Sequence, residues 1–292
     1  RLDLARHRLK LDKAALRMRS LDDAPDADEN DVAKSTAGLM DILTADGLGT
    51  IGGGNHFCEL QVVEAVFDDT ITLKKGDLCL LVHTGSRGHG ARIFNALSES
   101  WAEGFLPDTH AARDYIALHD AAVRWARLNR RRVAERAASA LRCALEPVCD
   151  AVHNHVQPTG AFWLHRKGAA ASDNGLVPLA GSRESLSYLM AVPEGPPESL
   201  GSVSHGAGRR YDRSSMHGRI RKTRSDLAAL KRNPFGGIII CDDRDLLIEE
   251  AGRAYKNASD VLGDLEYFGL AQPLAALAPL ITFKTARAGG ES

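Results

Sequence analysis

No apolar run in this chain approaches the ~18 residues that a membrane-spanning helix requires. The basic N-terminal stretch has no apolar core, which argues against a secretory signal there. Cysteine is scarce: Cys58, Cys79, Cys143, Cys149 and Cys241 form no C-x-x-C pair and are odd in number. That argues against a disulfide framework or a zinc ribbon and points to a reducing cytoplasm. An excess of one charge is missing too. With a formal net charge of -1, any nucleotide or nucleic-acid site has to be a local patch. Three common catalytic signatures are absent: the G-x-x-x-x-G-K-[ST] phosphate loop, the H-E-x-x-H zinc helix and the G-x-S-x-G serine elbow. His153-Asn154-His155 spells H-N-H but lacks the ββα spacing of nucleases of that name. There is no internal repeat, and no even βαβ rhythm of a doubly wound sheet.

What is present suits an ordinary globular chain. Its 292 residues, 44% hydrophobic, can bury one large core or two small ones. Leu4, Leu9, Leu11 and Leu16 recur among basic residues and predict a helix over Leu2 to Leu21. Asp22 to Asp31 is acidic and reads as a loop. Glycines from Gly47 to Gly54 precede two expected buried strands, Phe57 to Phe67 and Asp77 to His83. Ser98 to Val148 reads as mostly helical, with Arg124, Arg127, Arg130, Arg131 and Arg132 as a solvated face. From Ala161 onward, short apolar runs alternate with turns, and residues 285–292 read as a disordered tail. The expected fold class is mixed α/β, a single domain over 1–292 with one long helical segment.

Chemistry concentrates in His-centred segments. Ser202-Val-Ser-His205-Gly206-Ala207-Gly208-Arg209-Arg210 sets an imidazole among hydroxyls, glycines whose N–H groups can approach an anion, and paired guanidiniums. Such an imidazole is a candidate metal ligand, general base or nucleophile on phosphorus. Gly52-Gly-Gly-Asn55-His56-Phe57-Cys-Glu59 runs from a flexible turn into a strand. Leu81-Val-His83-Thr-Gly-Ser-Arg87-Gly ends an apolar strand with a His and an anion-friendly turn, and His153-Asn154-His155 adds a third group. Imidazole suits Zn, Mn, Fe and Cu, so sequence alone leaves the metal open.

Taken in order, these segments resemble the RtcB family of RNA ligases. The resemblance also rests on His165-Arg166-Lys167-Gly-Ala, Gly181-Ser182-Arg183 with Ser187-Tyr188, and Glu249-Glu250-Ala with Ala254-Tyr255-Lys256, and it covers about Gly52 to Lys284. The acidic insert is most similar to the homologues coupled to release factor H. What the resemblance implies is a ligase using GTP and two Mn²⁺ ions to join RNA 3′-phosphate or 2′,3′-cyclic phosphate ends to 5′-hydroxyl ends. It implies His205 as the nucleophile that takes GMP, and His56, His83 and His153 as metal ligands. Asn55, Gly206, Ala207, Gly208 and Arg209 would serve the phosphates, and Phe57, Glu59, Ser182, Ser187, Tyr255 and Lys284 the guanosine. Arg87, Arg166 and Lys167 are the candidate RNA or phosphate clamps.

The chain departs from the family pattern in places. The family's N-terminal D-x-G-C-G-M segment, whose Asp and Cys complete the two-metal site, has no counterpart, and Arg1 to Lys10 resembles the family's next stretch. The expectation is a fragment with at most one weak metal site and no detectable ligation. Gly252 stands where the family usually has Pro after Glu-Glu-Ala, and Glu184 alters the turn after Gly-Ser-Arg. Two other readings compete with the ligase: an inactive remnant that binds GMP or RNA ends, and a metal-dependent phosphohydrolase.

Overall fold

The computed structural model describes residues 4–22, 46–98, 109–159, 162–193 and 197–286. Helix α1 (Leu4–Met18) forms within the expected span, although Leu16 is exposed and Ala15 and Met18 are buried instead, and a 3-10 turn (Arg19–Asp22) follows it. Strands β1 (Phe57–Val66) and β2 (Leu78–His83) occupy the two expected positions, but β2 lies at the sheet edge and is half-buried, not buried, with Leu78 exposed. Of the region expected to be mostly helical from Ser98 to Val148, residues 99–108 lie outside the described residues, and the helix in the remainder stops early. Helix α2 (His89–Ser98) precedes it, and α3 (His110–Leu141) ends at a left-handed Arg142 with φ 59°. Beyond Arg142 no helix forms as far as His153. The helix closes at Arg142, whose N–H reaches Ala138 O and Ser139 O, and Pro147, without an N–H and biasing Glu146 toward extended backbone, keeps it from resuming there.

The second half of the chain supplies β3 (Asn154–Thr159), β4 (Phe162–Lys167), β5 (Ala169–Ala171), β6 (Leu176–Leu179), β7 (Ser187–Ala191) and β8 (Ser202–Ser204). After these come α4 (Arg213–Arg219), α5 (Arg224–Ala229), β9 (Ile238–Cys241), α6 (Arg244–Glu249), α7 (Ala258–Tyr267) and β10 (Gln272–Thr285). β10 runs through Thr285, the first residue of the expected tail. Thr285 pairs with Cys241 and donates to Asp22 at 3.3 Å, which holds it in the sheet. Residues 23–31 of the expected acidic loop and 287–292 of the tail lie outside the described residues. No described helix is long and apolar enough to cross a membrane.

The main sheet is built around β10. Its order is β2-β1-β10-β7-β6, antiparallel throughout, with β9 joining β10 in parallel. Register shifts between Leu60 and Gln61, Val63 and Ala65, and Pro273 and Ala275 curl it. Strand periodicity then sorts the two faces of β1. Cys58 and Leu60 join Ile281, Phe283 and Ile240 in a core closed by Ala15 and Met18 of α1 and Val133 and Ala137 of α3. Phe57, Glu59 and Gln61 point the other way, beside Thr282 and Lys284, and this buried face is largely polar. The arrangement is the mixed α/β class expected, with two small sheets, β3-β4 and β5-β8, beside the large one.

Helix α3 positions the turns that carry the chemistry. Its apolar stripe, Leu118, Ala121, Ala122 and Trp125, packs on Leu48 and Ile93. Asn129, fully buried in the same stripe, accepts from Gly49 N–H at 2.7 Å and donates to Thr50 O and Gly85 O, each at 3.1 Å. One amide thus ties together the Gly47–Thr50 and Thr84–Gly85 turns. The arginine run on α3 is not uniformly solvated. Arg130 is 15% exposed and holds Asp150 through two hydrogen bonds of 2.6 and 3.0 Å, because the 142–153 segment folds back over it.

A histidine-lined cleft as the candidate active site

Four histidines from four separate segments meet at the base of a cleft of about 950 Å³. His56 ends the glycine turn before β1, and His83 ends β2. Because Phe57 pairs with His83 across the ladder, the two strand mouths coincide. The Phe57 ring lies edge-on to His83 at 5.5 Å, and His56 lies 5.6 Å from it. His153 precedes β3 and brings its Nε2 to 3.1 Å from His83 Nε2. His205 follows β8 and stacks on His153 at 3.7 Å between ring centroids. Among the described residues, the donor nitrogens of His83, His153 and His205 lie within 4.8 Å of one another, and His56 flanks them.

All four imidazoles are biased toward the neutral form. Burial lowers His56 to about 4, helped by Arg87 and Lys284. Burial and then His205 lower His153 to about 3. His83 falls well below the usual range through burial and its histidine neighbours, and His205 is lowered by burial and by Lys167. His205 Nδ1 sits 2.7 Å from Gly168 O, so this nitrogen carries the proton and Nε2 keeps its lone pair. His56 Nδ1 and His153 Nδ1 are buried without a hydrogen-bond partner. Neutral rings with free lone pairs in one place are a donor set that fits a divalent cation.

A second polar cluster lies behind Phe57 on the sheet face. Glu59 accepts from Gln61 Nε2 at 2.7 Å and from Thr282 Oγ1, and burial pushes its carboxyl up to about 7. Gln61 also reaches Ser187 Oγ at 3.1 Å, and Gly181 N–H donates to the same hydroxyl. Ser182 sits in the adjoining turn, its Oγ 3.1 Å from Ser185 Oγ. Glu250 is the hub. It accepts from Arg209 Nη1 at 2.9 Å, from Arg213 Nε at 3.2 Å and from the Tyr255 hydroxyl, with Lys284 Nζ 3.9 Å away. Lys284, lowered by burial to about 8, donates to His56 O at 3.0 Å and so joins the two clusters.

The remaining expected residues divide. Asn55 is half-buried at the glycine turn, and Gly206 is held against Ala180 from both sides, Ala180 N–H donating to His205 O at 2.9 Å and Ala207 N–H to Ala180 O at 3.0 Å. Gly208, at φ 71°, takes the left-handed conformation that glycine favours and accepts from Lys256 N–H. Lys167 is exposed and lines the cleft. Arg87 and Arg166 are already committed to the chain itself. Arg87 folds back onto Thr50 Oγ1 at 3.0 Å and Ile51 O at 3.3 Å, filling the space a Cβ on Gly52 would need. Arg166 is buried, donating to Ser202 Oγ, Leu200 O and Gly201 O, with His155 Nε2 at 3.2 Å. Sequence reasoning assigned no role to Glu250, Arg213, His165 or Asn129. Glu250 and His165 stand inside family-like motifs, whereas nothing local marks Asn129.

A curled sheet whose strand mouths gather imidazoles able to hold a metal ion, beside a carboxylate-centred basic cluster, marks the candidate active site. A family-wide match to tRNA-splicing ligase RtcB covers residues 9–285, and the chain belongs to the RtcB family. It is 37% identical to the RNA-splicing ligase RtcB2 of Escherichia coli over 97% of this chain and 76% of that protein. It is 28% identical to the RNA-splicing ligase RtcB of Mycobacterium tuberculosis, over 80% of this chain and 63% of the relative. The tRNA-splicing ligase RtcB of Aeropyrum pernix is also 28% identical, over 81% of this chain and 59% of its own length. The chain thus spans under two thirds of the latter two.

Proposed function

We propose that this chain carries the catalytic site of a GTP- and Mn²⁺-dependent RNA ligase joining 3′-phosphate or 2′,3′-cyclic phosphate ends to 5′-hydroxyl ends in the cytoplasm. The observation that carries the reading is the hydrogen bond between His205 Nδ1 and Gly168 O, beside the His153 ring. It fixes the tautomer that leaves Nε2 nucleophilic, and burial keeps the ring unprotonated at neutral pH. His205 Nε2 attacks the α-phosphorus of GTP, the bond to the bridging oxygen breaks, and pyrophosphate leaves. A cyclic end is first opened by water, breaking the bond from phosphorus to the 2′-oxygen and leaving a 2′-hydroxyl and a 3′-phosphate; the 3′-phosphate then takes GMP from His205, and the 5′-hydroxyl displaces GMP to close the phosphodiester.

His56, His83 and His153 would hold the cation, which when bound supplies positive charge to the phosphates. Glu59 and Ser182 would accept or donate at the guanine edge, with Phe57 and Tyr255 as its aromatic neighbours. Lys167, exposed at the cleft, offers its cation to an incoming RNA phosphate. Arg209 acts from its pairing with Glu250, orienting the Gly206–Gly208 backbone.

The test is to incubate the protein with labelled GTP and Mn²⁺, both as the 292-residue chain and preceded by an Asp-x-Gly-Cys-Gly-Met segment. The expected product, in the extended form, is acid-labile, base-stable GMP on His205 that is lost in His205→Ala. Label persisting in that variant would remove His205 from the role. Joining of an RNA pair bearing 3′-phosphate and 5′-hydroxyl ends tests the remaining steps.

A further inference from the structure

Two residues that stand out separately in the sequence, Glu184 and Gly252, touch in the fold. Gly252 N–H donates to Glu184 Oε1 at 2.9 Å. A Cβ on residue 252 would lie 2.6 Å from Glu184 Cβ, Cδ and Oε2. Gly252 is not among the positive-φ glycines, so space and not backbone conformation demands a glycine here. A proline would fail twice, lacking the N–H and colliding with the carboxylate. The same Oε1 lies 3.7 Å from Arg183 Nε, and that guanidinium is buried with Nε and Nη1 making no hydrogen bond. Glu184 therefore answers a backbone donor and a buried cation together.

The contact joins two turns that each carry a proposed guanosine residue. Glu184 N–H donates to Ser182 Oγ at 3.2 Å, and Ser185 Oγ accepts from Ser182 N–H at 2.8 Å. On the other side Gly252 opens the 3-10 turn Gly252–Ala254, and Tyr255 N–H returns to Gly252 O at 3.0 Å. We infer that the Glu184–Gly252 contact is a positioning device that sets the Ser182 turn against the Tyr255 turn and so governs selectivity for a guanine base. This rests on the reading of Ser182 and Tyr255 as guanosine contacts.

The experiment measures GMP and AMP binding to the 292-residue chain by calorimetry, with thermal melts read alongside. Gly252→Ala and Glu184→Gly are each expected to weaken GMP by about 10-fold, the effect of losing one hydrogen bond to a charged group, and to lower the GMP-to-AMP affinity ratio. The double variant should bind no worse than Glu184→Gly alone, because the atoms that a Cβ at 252 would strike are gone. Glu184→Gln keeps the acceptor and should stay within about 3-fold of the unmutated chain. Variants that melt earlier but keep both GMP affinity and the GMP-to-AMP ratio would overturn the positioning role, and additive losses in the double variant would overturn the coupling. An unmutated chain that binds GMP no better than AMP would overturn the guanosine reading itself, and the inference with it; that failure is told apart because it is seen before any substitution.

Discussion

Glu250→Ala should destabilise the fold sharply. Its carboxylate is 2% exposed and holds Arg209, Arg213, the Tyr255 hydroxyl and, more loosely, Lys284. These partners do not weigh equally. Arg213 is 47% exposed, so water and salt screen its pairing to little. Arg209 at 21% and Lys284 at 4% are sheltered, and truncation leaves both without their anion. Removing one partner of a buried ion pair costs about 3–5 kcal/mol, which in a domain of this size is about 10 °C in melting temperature. Glu250→Gln keeps the shape but not the charge and should cost about 2 kcal/mol, near the value of a charge-assisted hydrogen bond. Urea denaturation of the three proteins, fitted with a common slope, reads the difference directly. An alanine variant within about 1 kcal/mol of the parent would show that Glu250 is not the anchor of this cluster.

Burial pushes Glu59 up to about 7 against an ordinary value of 4.5, so between those pH values the folded state holds a proton that the unfolded chain has released. Stability should therefore fall as pH rises through that window, by on the order of 3 kcal/mol, and Glu59→Gln should flatten the profile; an unchanged slope would refute the assignment. Arg166→Ala should cost about 1 kcal/mol in stability, because Leu200 O keeps the Ser202 hydroxyl and Gly201 O keeps Ser172 N–H, and should leave the salt dependence of RNA binding intact. Lys167→Ala should do the reverse, reducing the log–log salt slope by about 1 with little change in unfolding; a slope change in Arg166→Ala alone would invert the two roles.

Local pattern carried much of the fold. The run from Phe57 was legible as a strand, and the glycine turns before His56 and after His83 marked the strand mouths, because turn conformation depends on neighbours in the chain, whereas the two faces of β1 were sorted only by packing. The break after Arg142 escaped that pattern, since helical periodicity outweighs Pro147 along the sequence although not in the structure. The seams between segments were not legible at all. That His205 stacks on His153, that Asn129 ties two glycine turns, and that Arg87 and Arg166 are bound to the chain's own carbonyls are results of packing between residues far apart in sequence. Two guanidiniums in anion-friendly surroundings look the same along a chain whether they face solvent or a backbone oxygen. Only the tertiary fold decides, because a guanidinium turns to whichever acceptors the fold has brought within reach. The sequence by itself determined which chemistry is available here; the curl of one sheet and the path back over one long helix decided which groups meet to perform it.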